Sequence, residues 1–212
     1  MTSYKLYYFD IKGMAEPVRL ALTQASVPFE DVRIKPEQWP DMKPKMPFGQ
    51  VPVLEMSDGF QLTQSAAILR YIGAAHGLQA DSLLDRAVAD ELATSWYDMF
   101  THSSSAWSEE DPDKKKEKFK KLLDEFIHPR LAIFDQKLSK SKSGFLAGDK
   151  VTWADFLVYN FISSFDEWMH IQLDSYPHVT KFKKQIEQLP RIKDWHQKHP
   201  TARWSYWPSP FD

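Results

Sequence analysis

The residues whose types and spacing suggest chemistry lie in the first third of the chain. Val51 precedes Pro52 at the start of a predicted strand, and a cis peptide there would leave the Val51 backbone free to pair with an extended peptide ligand. Gln64 and Ser65 stand where a helix begins; Ser65 suits a capping role, but helix N-termini also bind anions. Tyr8 ends an aromatic run beside a glycine-containing turn. From the residues alone, each position keeps both a structural and a ligand-binding interpretation.

The composition excludes several kinds of partner and chemistry. The 212 residues carry a formal net charge of −2, whereas a bulk nucleic-acid binder normally needs a basic surplus. There is no cysteine, which excludes a disulfide framework, a thiolate metal site and a cysteine nucleophile. No apolar run approaches the roughly 18 residues of a spanning helix, and the N-terminus lacks the apolar segment of a signal peptide. We expect a cytoplasmic protein without nucleic-acid or membrane partners, in which any reacting sulfur arrives with the substrate.

Residues 1–78 carry a pattern of alternating short strands and helices. The predicted order is strand, helix and strand, an irregular stretch, then a strand hairpin and a helix. The irregular stretch, 36–47, holds four prolines and cannot form one regular helix. Segments 51–56 and 60–63 flank a Ser-Asp-Gly hairpin signal. Ser65–Ala75 places apolar residues on one helical face. This end of the chain is therefore predicted to be an α/β domain.

Strand signals disappear in the remainder of the chain, which predicts an all-helical domain over 84–212. Leu83–Trp107 predicts one long helix, and 114–137 predicts a second. Thr152, followed three residues later by Asp155, is a capping-box variant that predicts the start of an aromatic helix. The predicted fold class is therefore α/β plus all-α.

Four segments, in order along the chain, resemble motifs of the cytosolic glutathione transferases. They are YKLYYF (4–9) with AEPVR (15–19), PFGQVPVL (47–54), QSAAILRY (64–71) and VTWADF (151–156). The residues of these segments are most similar to those of the sigma class, which includes haematopoietic prostaglandin D synthase and the cephalopod lens crystallins. The resemblance covers essentially the whole chain. It implies a thioredoxin-like β-α-β-β-β-α domain, followed by an all-helical domain that forms the hydrophobic-substrate site and the dimer interface.

The resemblance also implies a binding site for glutathione, a tripeptide with two carboxylates, one ammonium and one thiol. Tyr8 is the implied catalytic residue, because its hydroxyl would stabilise the thiolate. Lowering a thiol pKa by about two units needs roughly 2.7 kcal/mol, and one hydrogen bond to a charged group contributes about 1.5–3 kcal/mol. The other implied glutathione contacts are Trp39, Lys43, Gln50, Val51, Pro52, Gln64, Ser65 and Asp98. Of these, Asp98 would reach the glutathione held by a second subunit.

Met14 departs from the sigma-class pattern, in which many members carry an arginine close to the tyrosine hydroxyl. A methionine neither donates a hydrogen bond nor adds a positive field. We therefore expect a less stabilised thiolate than in those members. The implied apolar wall of the second-substrate site comprises Phe9, Met14, Trp107, Tyr159 and Trp207.

The implied function is conjugation of glutathione, as co-substrate, to hydrophobic electrophiles by a homodimeric enzyme that needs no metal. One alternative is glutathione-dependent isomerisation of a prostaglandin-type endoperoxide. An alternative from another class is a non-catalytic, crystallin-like or ligand-carrying protein. The presence of Tyr8, Gln64 and Ser65 favours an enzyme, whereas Met14 keeps the non-catalytic alternative open. The sequence does not indicate the physiological electrophile.

Overall fold

Contacts divide the chain into two units with separate cores. The computed structural model describes residues 4–200, 203–206 and 209–211, without the side chains of residues 99–101. The first unit comprises Met1–Gln79 and Gln188–Tyr206, and the second comprises Ala80–Glu187 and Trp207–Asp212. Residues 188–206, which the sequence analysis grouped with the helical domain, thus belong by their contacts to the first unit.

The first unit contains a four-stranded sheet, and the described helices are distributed over both units. The strands are β1 (Tyr4–Phe9), β2 (Phe29–Ile34), β3 (Val53–Glu55) and β4 (Gln61–Thr63). The helices are α1 (Glu16–Gln24), α2 (Trp39–Met42), α3 (Ser65–Ala75), α4 (Leu83–Trp107), α5 (Pro112–Leu122), α6 (His128–Lys140), α7 (Trp153–Glu167), α8 (Pro177–Glu187) and α9 (Pro190–Lys198). Among the described residues, no helix has both the length and the apolar character needed to cross a bilayer.

The sheet has the thioredoxin-like order β2-β1-β3-β4. Strand β1 is parallel to β2 and antiparallel to β3, and β3 is antiparallel to β4. In β1, Tyr4, Leu6 and Tyr8 alternate onto the buried face, as the period of a strand requires. The predicted strand over 51–56 begins only at Val53, since Pro52 has no N–H to donate to a ladder.

Helices α1, α3 and α9 pack around the sheet of the first unit. Val18 and Leu22 on α1, and Ile68 and Ile72 on α3, are fully buried, and α9 packs against α1. The proline-rich stretch 36–47 forms two single 3₁₀ turns around the short α2, which confirms that it is not one regular helix.

The second unit is helical, as predicted, with its core around Trp96 of α4. The Trp96 ring is fully buried and stacks on Phe134 and Phe161, each with a centroid distance of 5.2 Å. The predicted helix over 114–137 is confirmed as one continuous helical segment, within which a π-helical turn at Leu123–Ile127 lies between α5 and α6. The cause is Pro129 in the first turn of α6, which cannot donate the backbone hydrogen bond of a regular α-helix.

The predicted capping box at the start of α7 is confirmed. The Asp155 carboxylate accepts hydrogen bonds from the Thr152 N–H at 2.7 Å and from the Thr152 hydroxyl at 2.8 Å. It also accepts one from the Leu146 N–H at 2.9 Å. Burial nevertheless raises the pKa of Asp155 to about 6.

Candidate active site

Tyr8 lies near the end of the central strand β1, with its side chain buried and its hydroxyl in a hydrogen bond. The Met14 backbone N–H donates to the Tyr8 Oη at 3.0 Å. Because this contact uses a lone pair of the oxygen, the hydroxyl proton is left to point at a different acceptor. The geometry therefore presents Tyr8 as a hydrogen-bond donor.

The electrostatic surroundings of Tyr8 keep its hydroxyl protonated at neutral pH. Burial raises the pKa of Tyr8, and the Met14 N–H and the Arg19 charge only partly oppose that shift. The Arg19 guanidinium carbon lies 5.9 Å from the centre of the Tyr8 ring. This guanidinium is the source of the positive charge that opposes the effect of burial on the pKa of Tyr8.

Gly13 allows the turn before Met14 to approach Tyr8 closely. Its φ of +43° lies in the left-handed region that favours glycine. A Cβ atom at this position would lie 2.5 Å from the Tyr8 Oη and 2.7 Å from Cε1. Any other residue would therefore push the turn away from the hydroxyl.

Arg19 is the fully buried cation beneath this turn. Its Nε lies 3.1 Å from both carboxylate oxygens of Asp31, and its Nη1 lies 3.1 Å from the Glu16 Oε2. The same Nη1 donates to the Ile11 carbonyl at 2.9 Å and to the Lys12 carbonyl at 3.3 Å. Arg19 thereby fixes the segment that leads into Gly13. This role of Arg19 was not predicted from the sequence, because its spacing from Tyr8 carries no signal of the contact.

The sheet register brings three of the predicted glutathione-binding positions to one end of the sheet. Tyr7 of β1 lies opposite Val53 of β3, and Val53 lies opposite Thr63 of β4. The next residues toward that end are Tyr8 on β1, Pro52 before β3 and Gln64 after β4. These positions are far apart in sequence and are neighbours only through strand pairing.

Gln64 has a backbone conformation that the sequence did not reveal. Its φ of 69° and ψ of 112° are uncommon for a residue other than glycine. Gln64 occupies the N-cap position of α3, so the interpretation of Ser65 as the cap was wrong; Ser65 is the first helical residue and is buried. Outliers of this kind cost about 1–3 kcal/mol and cluster at ligand-binding sites.

The remaining predicted glutathione residues of the first unit surround the proline-rich stretch. The Trp39 ring is half-buried and lies edge-on to the Phe9 ring at 5.1 Å. Lys43 and Gln50 are exposed. Val51 is half-buried, Pro52 is buried, and the peptide bond between them is cis. The ligand contacts of all these residues stay predictions.

Asp98 lies on α4 in the second unit, where its carboxylate is largely exposed and has a local cation. The Arg130 Nη2 lies 3.7 Å from the Asp98 Oδ2. Arg130 also donates from Nε to the Ser95 carbonyl at 3.1 Å, and its guanidinium lies over the Phe126 ring at 3.2 Å. Arg130 was missed from the sequence, since the helical pattern gave no reason to pair it with Asp98.

The predicted wall of the second-substrate site is distributed over both units. Phe9 and Met14 are half-buried residues of the first unit. Trp107 is 41% exposed and stacks on Trp168 at 5.3 Å, whereas Tyr159 is buried and donates to Glu187 at 3.4 Å. Trp207 lies outside the described residues. Their role in binding a substrate stays a prediction.

Comparison with known proteins agrees with this architecture. Residues 4–74 match the family model of the glutathione S-transferase N-terminal domain, and residues 97–199 match that of the C-terminal domain. Glutathione S-transferase 1 of Ascaris suum is 36% identical, covering 95% of this chain and 99% of that protein. Hematopoietic prostaglandin D synthase of Gallus gallus is 34% identical, with coverage of 95% and 99%. The structure of prostaglandin synthase D of Nilaparvata lugens superposes with a TM-score of 0.86 at 35% identity, covering 94% of this chain and 99% of that one.

The fold is thus that of a two-domain protein, with a thioredoxin-like domain followed by an all-helical one, and a buried tyrosine lies near the end of its central strand. Both family models and the full-length relatives agree with that class. The chain belongs to the glutathione S-transferase family.

Proposed function

We propose that this enzyme conjugates the thiolate of glutathione to hydrophobic electrophiles. The observation that carries the proposal is that the Tyr8 side chain is buried and its hydroxyl accepts the Met14 N–H, so that the hydroxyl proton is available to a sulfur anion. The glutathione thiol loses its proton to solvent, and Tyr8 stabilises the resulting thiolate. The sulfur then attacks an electrophilic carbon, a C–S bond forms, and the leaving group departs with the electron pair of its bond.

The sheet register supports a binding mode for glutathione. A tripeptide spans about 10 Å, and neighbouring strands are about 4.8 Å apart. A ligand lying across the ends of β1, β3 and β4 therefore covers about two strand spacings. Its cysteinyl part would pair with the Val51 backbone while its thiol meets Tyr8, and its γ-glutamyl carboxylate would meet Gln64 and Ser65 at the start of α3.

The other end of glutathione would carry its second carboxylate toward the proline-rich stretch. Lys43 is an exposed cation in this stretch, and Trp39 precedes it by one helical turn. Gln50 offers a further polar group. A positive side chain near a carboxylate gives the charge complementarity that the ligand needs. These assignments rest on matched positions in the family.

The active form is proposed to be a homodimer of sigma class, located in the cytoplasm and acting in detoxification. In this form, the exposed Asp98 of one subunit would accept the glutathione ammonium bound by the other. The exposure of Asp98 supports the proposal, because a carboxylate at the surface is available to a second chain. Sedimentation of the purified protein at micromolar concentration tests the oligomeric state.

Isomerisation of a prostaglandin-type endoperoxide is the second candidate activity. Its support is the similarity to proteins named prostaglandin D synthase. Met14 speaks against any such chemistry that depends on an arginine beside the tyrosine hydroxyl. Conjugation needs only the thiolate and is therefore the preferred proposal.

The test is a conjugation assay with 1-chloro-2,4-dinitrobenzene, comparing wild type with Tyr8→Phe and Tyr7→Phe. The Tyr7 hydroxyl points away from Tyr8 and contacts Glu55 at 3.4 Å, so Tyr7→Phe is a matched control. We expect Tyr8→Phe to lower the rate at neutral pH by about 10- to 150-fold, with glutathione affinity little changed. A full-rate Tyr8→Phe enzyme would refute the assigned role. Wild type that binds apolar ligands without turnover would favour the crystallin-like alternative.

A further inference from the structure

Residues 203–206, here called the tail segment, bond to the turn that leads to Met14. The Lys12 N–H donates to the Arg203 carbonyl at 2.6 Å, and the Gly13 N–H donates to the Trp204 carbonyl at 3.3 Å. Both matches to the family models end before this segment, at residues 74 and 199. These backbone bonds connect the tail segment to residues 12 and 13.

Two aromatic side chains of the tail segment add to these backbone bonds. The Tyr206 hydroxyl accepts the Asp10 N–H at 3.0 Å, and the Tyr206 ring lies 6.4 Å from the Phe9 ring. The Lys12 ammonium lies 4.9 Å from the centre of the Trp204 ring, within the range of a cation–π contact. Backbone and side-chain contacts thus reach every residue position of 9–13 except Ile11.

The turn is held from two directions by different groups. Arg19 donates to the carbonyls of Ile11 and Lys12 from the buried side. The tail segment accepts from the N–H groups of Asp10, Lys12 and Gly13. Removing the tail segment would transfer three backbone donors to water while leaving the Arg19 bonds in place. The turn would then be fixed on one side only.

The position of this turn bears directly on the Tyr8 hydroxyl, because Met14 follows Gly13. A hydroxyl that accepts a hydrogen bond becomes a stronger donor, by about 10–30% for each bond in a chain. A misplaced Met14 N–H would weaken the polarisation of the Tyr8 O–H and loosen the direction of its proton. Tyr8 itself would stay on β1 and keep its contact with the sulfur.

We propose that the tail segment is a positioning element for Tyr8, which holds the Met14 amide against the hydroxyl and thereby lowers the pKa of the glutathione thiol. The proposal rests on the proposed function of Tyr8. The tail segment touches neither the thiol nor the electrophile in this scheme. Its effect passes through residues 10–14, so thiol acidity should change more than glutathione affinity.

A comparison of two shortened chains tests the proposal. One ends at residue 200 and lacks the tail segment; the matched control ends at residue 206 and retains it. The readout is thiolate absorbance of the glutathione complex against pH, recorded without electrophile, so that loss of residues 207–212 from an electrophile site has no influence. Calorimetry supplies the glutathione affinity of each chain.

We expect the chain ending at 206 to match the full chain. The chain ending at 200 should show a thiol pKa raised by roughly 0.2–0.6 units, with affinity at pH 5.5 changed by less than about twofold. If the shorter chain fails to fold, the full-length variant Trp204→Ala/Tyr206→Ala should raise the thiol pKa in the same direction. An unshifted pKa in the variant that folds, beside a normal thiolate band in the full chain, would overturn the role of the tail segment alone. Absence of a thiolate band from the full chain would overturn the proposed function and this role with it.

Discussion

Met14 and Tyr8 are joined by a hydrogen bond in which the backbone of one donates to the side chain of the other, at 3.0 Å. Any residue except proline at position 14 retains this donor. The effect of the side chain at position 14 can therefore be measured separately from the effect of its amide. Substitutions at position 14 can therefore test the effect of the arginine that many sigma-class members carry there.

The defect of Tyr8→Phe should depend on pH. At neutral pH, the enzyme stabilises a thiolate that hardly forms in water. Above the free thiol pKa of about 8.5, the thiol ionises without help. The rate ratio of wild type to Tyr8→Phe should therefore fall steadily between pH 6.5 and 9.5. Because burial raises the pKa of Tyr8 above its ordinary value, the wild-type rate should not decline in this range through ionisation of Tyr8. A ratio that stays constant across the range would show that the hydroxyl does not act on thiol ionisation.

Met14→Arg should lower the pKa of the bound thiol, and Met14→Gln should not. Both variants keep the amide that bonds to Tyr8, and only arginine adds a positive charge. An opposite charge within about 4–6 Å favours the thiolate. Thiolate absorbance against pH measures the shift. Equal pKa values in the two variants would mean that the side chain of residue 14 does not face the sulfur.

Gly13→Ala should reduce activity far more than Gly59→Ala. Both glycines have positive φ, so both substitutions carry the left-handed backbone penalty. Only at Gly13 does a Cβ meet the Tyr8 side chain, whereas nothing lies within 4 Å of the corresponding point at Gly59. We expect Gly13→Ala to raise the thiol pKa and to lower kcat/KM by about tenfold, because the hydrogen bond from the Tyr8 hydroxyl to the thiolate would be weakened. Comparable activity losses in the two variants would point to general destabilisation instead.

Asp98→Ala and Arg130→Gln should change glutathione affinity in opposite directions. Asp98→Ala removes the proposed acceptor of the ammonium and should weaken binding at least several-fold. Arg130→Gln removes the cation that lies 3.7 Å from the carboxylate, and an exposed pair of this kind is worth at most about 1 kcal/mol. Binding should therefore tighten by no more than about fivefold in calorimetry. A loss of affinity in Arg130→Gln would mean that the arginine orients Asp98 for the ligand.

Asp155 should make folding less favourable as the pH rises. Its folded-state pKa of about 6 exceeds the ordinary value of about 3.9, so the folded chain binds this proton more tightly than the unfolded chain does. The stabilisation is complete below about pH 4 and is lost as the pH rises through 6, by about 3 kcal/mol in total. Asp155→Asn cannot titrate. The unfolding free energy of wild type, measured in urea relative to that of Asp155→Asn, should therefore decrease between pH 4 and 7.

Strands and helices that are encoded by residues close together in the sequence were predicted correctly. β2 and α4 have the predicted bounds, because a strand run and a helical stripe are each encoded within their own residues. The π-helical turn near Pro129 was not predicted, since the apolar spacing of 114–137 continues through it. Pro129, which has no backbone N–H, marks the place of this turn within an otherwise continuous helical segment.

The candidate site depended on contacts between distant residues. Tyr8 was found through the family motif, but its Met14 donor required the left-handed turn at Gly13. The tail segment lies about 190 residues from that turn, and no spacing pattern connects the two. Sequence reasoning identified the chemistry of individual positions; strand pairing and turn geometry determined which positions meet.

The membership of α9 in the first unit has a consequence during synthesis on the ribosome. Trp195 of α9 donates to the buried Glu16 at 2.9 Å, and its ring lies 6.0 Å from that of Phe29. The first 79 residues leave the exit tunnel long before this helix, by roughly 5–20 seconds at about 5–20 residues per second. During that interval the nascent thioredoxin-like domain has its strands but lacks the helix that covers α1. Its final packing therefore awaits the synthesis of α9, although most of its residues are made first.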